Sequence, residues 1–159
     1  MILIERDDPA RVDVRQLLSE HLADMFATSP ADSVHALDVH ELSEPGISFW
    51  TVREDGALLG CGALKKLPAR QGEIKSMRTT VDARGRGIAA LLLASIVHDA
   101  RLRGYETLSL ETGTENFFAP ARRLYRRHGF TDCAPFAHYG IDPHSVYMTL
   151  HLEADSPVG

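Results

Sequence analysis

A mixed α/β fold, with a mainly antiparallel central sheet flanked by helices, is the class this chain predicts. Three observations predict it. Segments of helical and strand period are interleaved without the strict strand–helix alternation of an all-parallel sheet. An Asp55-Gly56 pair between two apolar runs reads as a hairpin, which makes that part of the sheet antiparallel. A glycine-punctuated turn, Arg84-Gly85-Arg86-Gly87, joins a strand-like run directly to a long apolar helix.

Each element follows in order. Ile2 to Glu5 opens as a short strand. Asp8-Pro9 reads as a helix start, and Val14, Leu17, Leu18, His21, Leu22 and Met25 recur at helical spacing to about Ala27. Ser29-Pro30 stops that helix. A weaker helical pattern covers 31–42, and Glu44-Pro45-Gly46 turns the chain. Residues 48–53 and 57–64 are the hairpin strands, and Pro68 to Gly72 leads into a third strand over 73–79. In the long helix, Ala89, Leu92, Leu93, Ile96 and Ala100 share one face, and Gly104 is the stop. A strand over 107–111, a helix over 119–128 ending at Gly129, and strands over 130–134 and 145–152 complete the order.

With 159 residues the chain is long enough for one well-buried core, so 1–152 is expected as a single domain and 153–159 as a loose tail. Asp and Glu outnumber Lys and Arg by 22 to 17, which argues against nucleic acid as a partner. The N-terminus turns acidic by Glu5 and lacks the shape of a targeting peptide. The longest apolar run, 88–94, is too short to span a bilayer, so no membrane partner is expected. Cys61 and Cys133 make no disulfide framework and both read as buried thiols, which points to the cytoplasm. A homodimer is left open.

The turn before the long helix carries the chemistry. A helix start presents unpaired N–H groups and the positive end of the macrodipole. Gly85 and Gly87 free the backbone for close approach, and Arg84 and Arg86 add charge that suits phosphate. Gly87, Ile88, Ala89 and Ala90 present the first-turn N–H groups, as for a pyrophosphate. The bland reading is a β-to-α turn with Gly for geometry and Arg for solubility. Gly85-x-Gly87-x-x-Ala90 also fits the dinucleotide fingerprint, with Glu106 near its acidic position. Against that stand the polar strand before the turn, the upstream hairpin, and the short length of chain after Ala90.

Arg84-Gly85-Arg86-Gly87-Ile88-Ala89, together with Leu124-Tyr125 followed by Gly129-Phe130, resembles the paired signatures of the GNAT family of N-acetyltransferases. The likeness covers nearly the whole chain and is most specific over 73–130. The stretches around Glu73 to Thr79, Leu110 to Thr114 and Phe118 to Arg122 resemble one bacterial branch of that family, most of whose members lack an assigned substrate. The resemblance implies acetyl-CoA as co-substrate, an amine of a small molecule or peptide as acceptor, and direct transfer in a ternary complex. It also implies that Met77, Arg78 and Thr79 meet the pantetheine arm and acetyl carbonyl along their strand. The family's usual Asn, six residues before the helix Leu, is replaced by Phe118. Asn116, two residues earlier, is the residue left for that contact.

Acyl transfer to an ammonium requires that a base first remove a proton. The resemblance places that base at Glu73, acting directly or through water, with Glu111 in reserve. Glu73 also reads as a strand-end carboxylate paired with Lys75. Tyr125 matches the residue that supports the departing thiolate, though a tyrosine on a helix face also serves as a core aromatic. Arg122, Arg123, Arg126 and Arg127 read as a solvated helical face, from which one guanidinium could reach the 3′-phosphate of coenzyme A. The eight histidines show no zinc-like spacing, so no metal is expected. The resemblance instead puts His35, His138 or His144 near the acceptor. The alternative function is a non-catalytic acyl-CoA sensor or partner module.

Overall fold

The computed structural model describes residues 1–34 and 38–152. His35 and the tail 153–159 lie outside the described residues, as does part of the helical pattern expected over 31–42. Seven strands form one sheet in the order β1-β2-β3-β4-β5-β7-β6. They are β1 (Ile2–Arg6), β2 (Ile47–Glu54), β3 (Ala57–Leu67), β4 (Gln71–Thr79), β5 (Thr107–Gly113), β6 (Thr131–Cys133) and β7 (Ser145–His151). Every neighbouring pair is antiparallel except β4 and β5. The helices are α1 (Val12–Thr28), α2 (Val39–Leu42), α3 (Ile88–Leu102) and α4 (Ala119–Arg127). The predicted fold class is therefore the observed one.

Strand alternation sends each sheet face to a different core. In β2, Phe49 joins Val14, Leu17, Leu18 and Leu42 beneath α1 and α2, whereas Trp50 joins the α3 side. In β3, Cys61 and Ala63 face α1 while Leu64 faces α3. Helix α3 buries Ile88, Leu92, Leu93, Ile96, Val97 and Ala100. Each fully buried Leu or Ile contributes about 1.5–3 kcal/mol, so this face pins α3 to the sheet. Its N-terminus is held against the end of β4 as a result.

Several boundaries differ from expectation. Helix α1 begins at Val12 because the Asp8 carboxylate accepts the Ala10 N–H (2.8 Å), which favours a local turn over helix. Over 31–42 the described residues form a 3₁₀ turn at Ala31–Ser33 and the four-residue α2, whose start is fixed by a capping box between Asp38 and Glu41. Phe130 precedes β6 because its N–H donates to the Tyr125 carbonyl (3.1 Å), closing the end of α4. Cys61 is fully buried, and burial pushes its thiol up to about 12. Cys133 is only half-buried, a correction explained by its place on the short edge strand β6.

Candidate active site

The parallel pairing of β4 with β5 spans only Gln71 to Glu73 against Thr107 to Ser109. Beyond it the two strands part. The cause is a bulge in β4: Lys75 pairs with Ala63 and Arg78 with Cys61, so Ser76 and Met77 together face Gly62. Ser76 carries a φ of 56°, and a bulged strand bends away from its neighbour. The bulge also resets which side chain faces which way. Met77 packs over Gly62 towards Leu92 and Ile96 of α3, while Arg78 reaches Asp24 of α1. Between the parted strands lies a cleft of about 800 Å³.

The uncapped start of α3 lies on this cleft and offers chemistry that suits a phosphate-bearing ligand. Gly87 is the N-cap of α3 with φ 78°, Gly85 has φ 81°, and no side chain caps the helix. The first-turn N–H groups of Ile88, Ala89 and Ala90 therefore lack intrahelical partners beside the cleft. A Cβ on either glycine would meet open space, so the backbone conformation, not room, is what requires glycine here. Arg84 and Arg127 line this end, and Met77, Arg78 and Thr79 run along its wall. Arg86 turns away to Glu54 (3.1 Å), and neither it nor Asn116 is among the lining residues; Phe117 and Phe118 are. Arg122 is not a solvated cation, since it donates to the carbonyls of Gly113 (2.6 Å) and Glu115 (3.0 Å) and ties β5 to α4.

Glu73, Glu111 and Tyr125 all line the cleft. Glu73 is 1% exposed, and its Oε2 accepts from Lys75 Nζ (3.0 Å) and from the Tyr139 hydroxyl (2.5 Å). The expected pairing with Lys75 is therefore present. Lys75 also donates to Tyr139 (2.7 Å), which closes a three-membered clasp. Burial, with Glu73 adding to it, pushes the Tyr139 hydroxyl up. Across the cleft, burial raises Glu111 from 4.5 to about 7; Ser145 and the Lys75 ammonium oppose the rise, and the negative charges of Glu73 and Asp142 add to it. Tyr125 is buried, packs edge-on against Phe130 at 5.7 Å, and makes no hydrogen bond among the described residues. Burial raises its pKa as well, so it carries its proton at neutral pH.

The cleft is also lined by α1, which supplies His21 and Met25. Burial, helped by the charge of Arg78 and opposed by Asp24, lowers His21 to about 4, so the ring is neutral at physiological pH. His138 and His144 do not line the cleft. The first stacks on Tyr139 and the second pairs with Glu115 (3.3 Å). Their loop brings Tyr139 to the site, leaving those imidazoles outside. Tyr139 and His21 are the residues that sequence reasoning missed. Tyr139 lies in an irregular loop 66 positions from Glu73, and His21 is one of several residues at helical spacing.

The profile of the acetyltransferase (GNAT) family matches residues 12–130. The uncharacterized N-acetyltransferase YsnE of Bacillus subtilis is 50% identical, over 94% of this chain and 99% of its own. An IAA acetyltransferase of Azospirillum brasilense is 39% identical over 95% of this chain and 98% of its own. Among solved structures, a candidate acyl-CoA N-acyltransferase of Klebsiella pneumoniae superposes with a TM-score of 0.80 at 28% identity, covering 96% of this chain and 99% of its own. A Bacillus subtilis acetyltransferase in complex with CoA shares the fold at a TM-score of 0.72 and 19% identity, over 96% and 100% of the two chains. With the glycine-capped helix start, the parted strands and these relatives together, this chain belongs to the GNAT family of N-acetyltransferases and takes its acetyl group from acetyl-CoA.

Proposed function

We propose direct acetyl transfer to the amine of a small molecule or peptide, with acetyl-CoA and acceptor held in the cleft together. The observation that carries this reading is the meeting of three features in one cleft: the uncapped start of α3, the unpaired edge of β4 beyond Glu73, and the Glu73, Glu111 and Tyr125 side chains. First-turn N–H groups of Gly87 to Ala90, with Gly85 and Arg84, hold the pyrophosphate. Backbone groups of Met77, Arg78 and Thr79 hold the pantetheine arm and acetyl carbonyl as a neighbouring strand would. Arg86 and Asn116 are left at the margin of this binding site, within reach of the coenzyme only by side-chain movement. The Glu73–Glu111 pair accepts the amine proton, with Glu111 as the titrating member. The amine nitrogen forms its bond to the acetyl carbon, the carbon–sulfur bond breaks, and Tyr125 donates towards the departing sulfur. The two free cysteines suit a reducing compartment, and the cytoplasm is the one proposed.

Thiol release from acetyl-CoA across a panel of primary amines tests the reading. Turnover on at least one amine supports it. Tight coenzyme A binding with no turnover on any amine would instead favour the sensor. A second variant probes the cradle. In Gly87→Ala, a Cβ is forced into left-handed backbone at a cost of about 1–2 kcal/mol. Coenzyme A affinity is expected to fall about tenfold by calorimetry, with the affinity for an acceptor analogue unchanged.

A further inference from the structure

Resting on that transfer reading, we propose that the acceptor is a carboxylate-bearing amine, such as a free amino acid, whose carboxylate is bound by Arg78. The Arg78 side chain is only 8% exposed, yet its guanidinium is incompletely used. One end pairs with Asp24 at 2.6 Å, and Asp24 is itself 40% exposed at the outer edge of α1. The Nε is buried with no hydrogen-bond partner among the described residues. Two residues earlier on the same cleft wall, the buried Ser76 hydroxyl is unpartnered as well. Buried donors are paired in finished sites, so two unpaired ones on a cleft wall mark where a ligand supplies acceptors.

Guanidinium is suited to carboxylate because its donors form a planar fork. The neighbouring cation does not compete, since Lys75 is committed to Glu73 and Tyr139. His21, beside Arg78, is uncharged and adds no second positive site. The cleft therefore offers both signs of charge, with Glu73 and Glu111 for the ammonium and Arg78, five positions along β4 from Glu73, for an anion. A polyamine or lysine-rich peptide would set a cation against Arg78. The net charge of −5 favours such cationic acceptors in bulk, but screening removes distant charge while a buried contact persists.

The test compares free amino acids with their carboxamides on the full chain. The amide keeps the amine and side chain and removes only the carboxylate. Amino acids are expected to show kcat/KM about 10–100-fold higher, the range for one lost hydrogen bond to a charged group. The difference should lie in KM and vanish in Arg78→Gln. Arg78→Lys, which keeps the charge beside Asp24, should restore part of it. Calorimetry on CoA-loaded protein with N-acetyl amino acids and N-acetyl amino acid amides gives a readout that needs no turnover. Selective binding of the acids without turnover on any amine would retain the carboxylate subsite and overturn the transfer reading. Equal use of amides and acids would overturn the subsite and leave transfer standing. Binding of neither N-acetyl compound would overturn the subsite too.

Discussion

Glu111→Gln is expected to lower kcat about 10²- to 10⁴-fold at pH 7–8, the range for removing a general base. Glu111 titrates at about 7 in the folded protein against 4.5 when free, chiefly through burial. Only its carboxylate form accepts a proton, so kcat/KM of the parent should rise with pH through about 7. In Glu111→Gln that limb should disappear, leaving only the rise that belongs to the acceptor amine. Glu73→Gln acts differently. Its charge helps raise Glu111 while Lys75 lowers it, so its loss should move the limb to lower pH. Loss of the limb in Glu73→Gln, with the limb kept in Glu111→Gln, would assign the proton to Glu73 itself.

The same shift fixes a stability effect of opposite sign. The folded protein holds a proton on Glu111 that the unfolded chain has released between pH 4.5 and about 7. Folding stability from this group is therefore full below 4.5 and is lost as pH rises towards 7. The loss is on the order of 3 kcal/mol at most. Glu111→Gln carries no such penalty, so its Tm at pH 8 should exceed that of the parent by several degrees and converge with it below pH 4.5. A less active but more stable variant is what a functional, desolvated carboxylate produces. Equal melting at pH 8 would remove Glu111 as a strained group.

Tyr125→Phe is the second large effect. Burial raises the hydroxyl above its ordinary pKa, so it keeps its proton throughout the assay range. It also has no hydrogen bond to lose among the described residues. The variant retains the ring packed against Phe130, and folding should be unaffected. Without a donor for the departing sulfur, kcat should fall about 10²-fold. The acetyl-CoA dissociation constant should change less than twofold, because the lost interaction is made mainly as the thiolate forms. Unchanged kcat would leave Tyr125 with a packing role only.

Legibility differed by residue type. The Asp55-Gly56 hairpin, the apolar face of α3 and the glycine turn before it were readable because each is set by neighbours within a few positions. The start of α1 was misread because Asp8 has two local solutions, helix cap and turn, and propensity does not choose between them. The Lys75 partnership of Glu73 was visible at a two-residue spacing, whereas Tyr139, the third member, was not. The histidines of the 138–144 loop were expected near the acceptor, and the aromatic between them arrived instead.

By itself the sequence determined the order of elements, the mixed sheet and the glycine-capped start of α3. These follow from periodicity, turn chemistry and glycine, which act locally along the chain. Only the tertiary structure decided what the cleft contains. The Ser76 bulge parts β4 from β5, turns Arg78 towards α1, and lets Glu73 and Glu111 face one space from different strands. A bulge depends on register against β3, and a raised carboxylate pKa depends on what burial removes from around it. Both are properties of packing between distant segments, which no local pattern encodes.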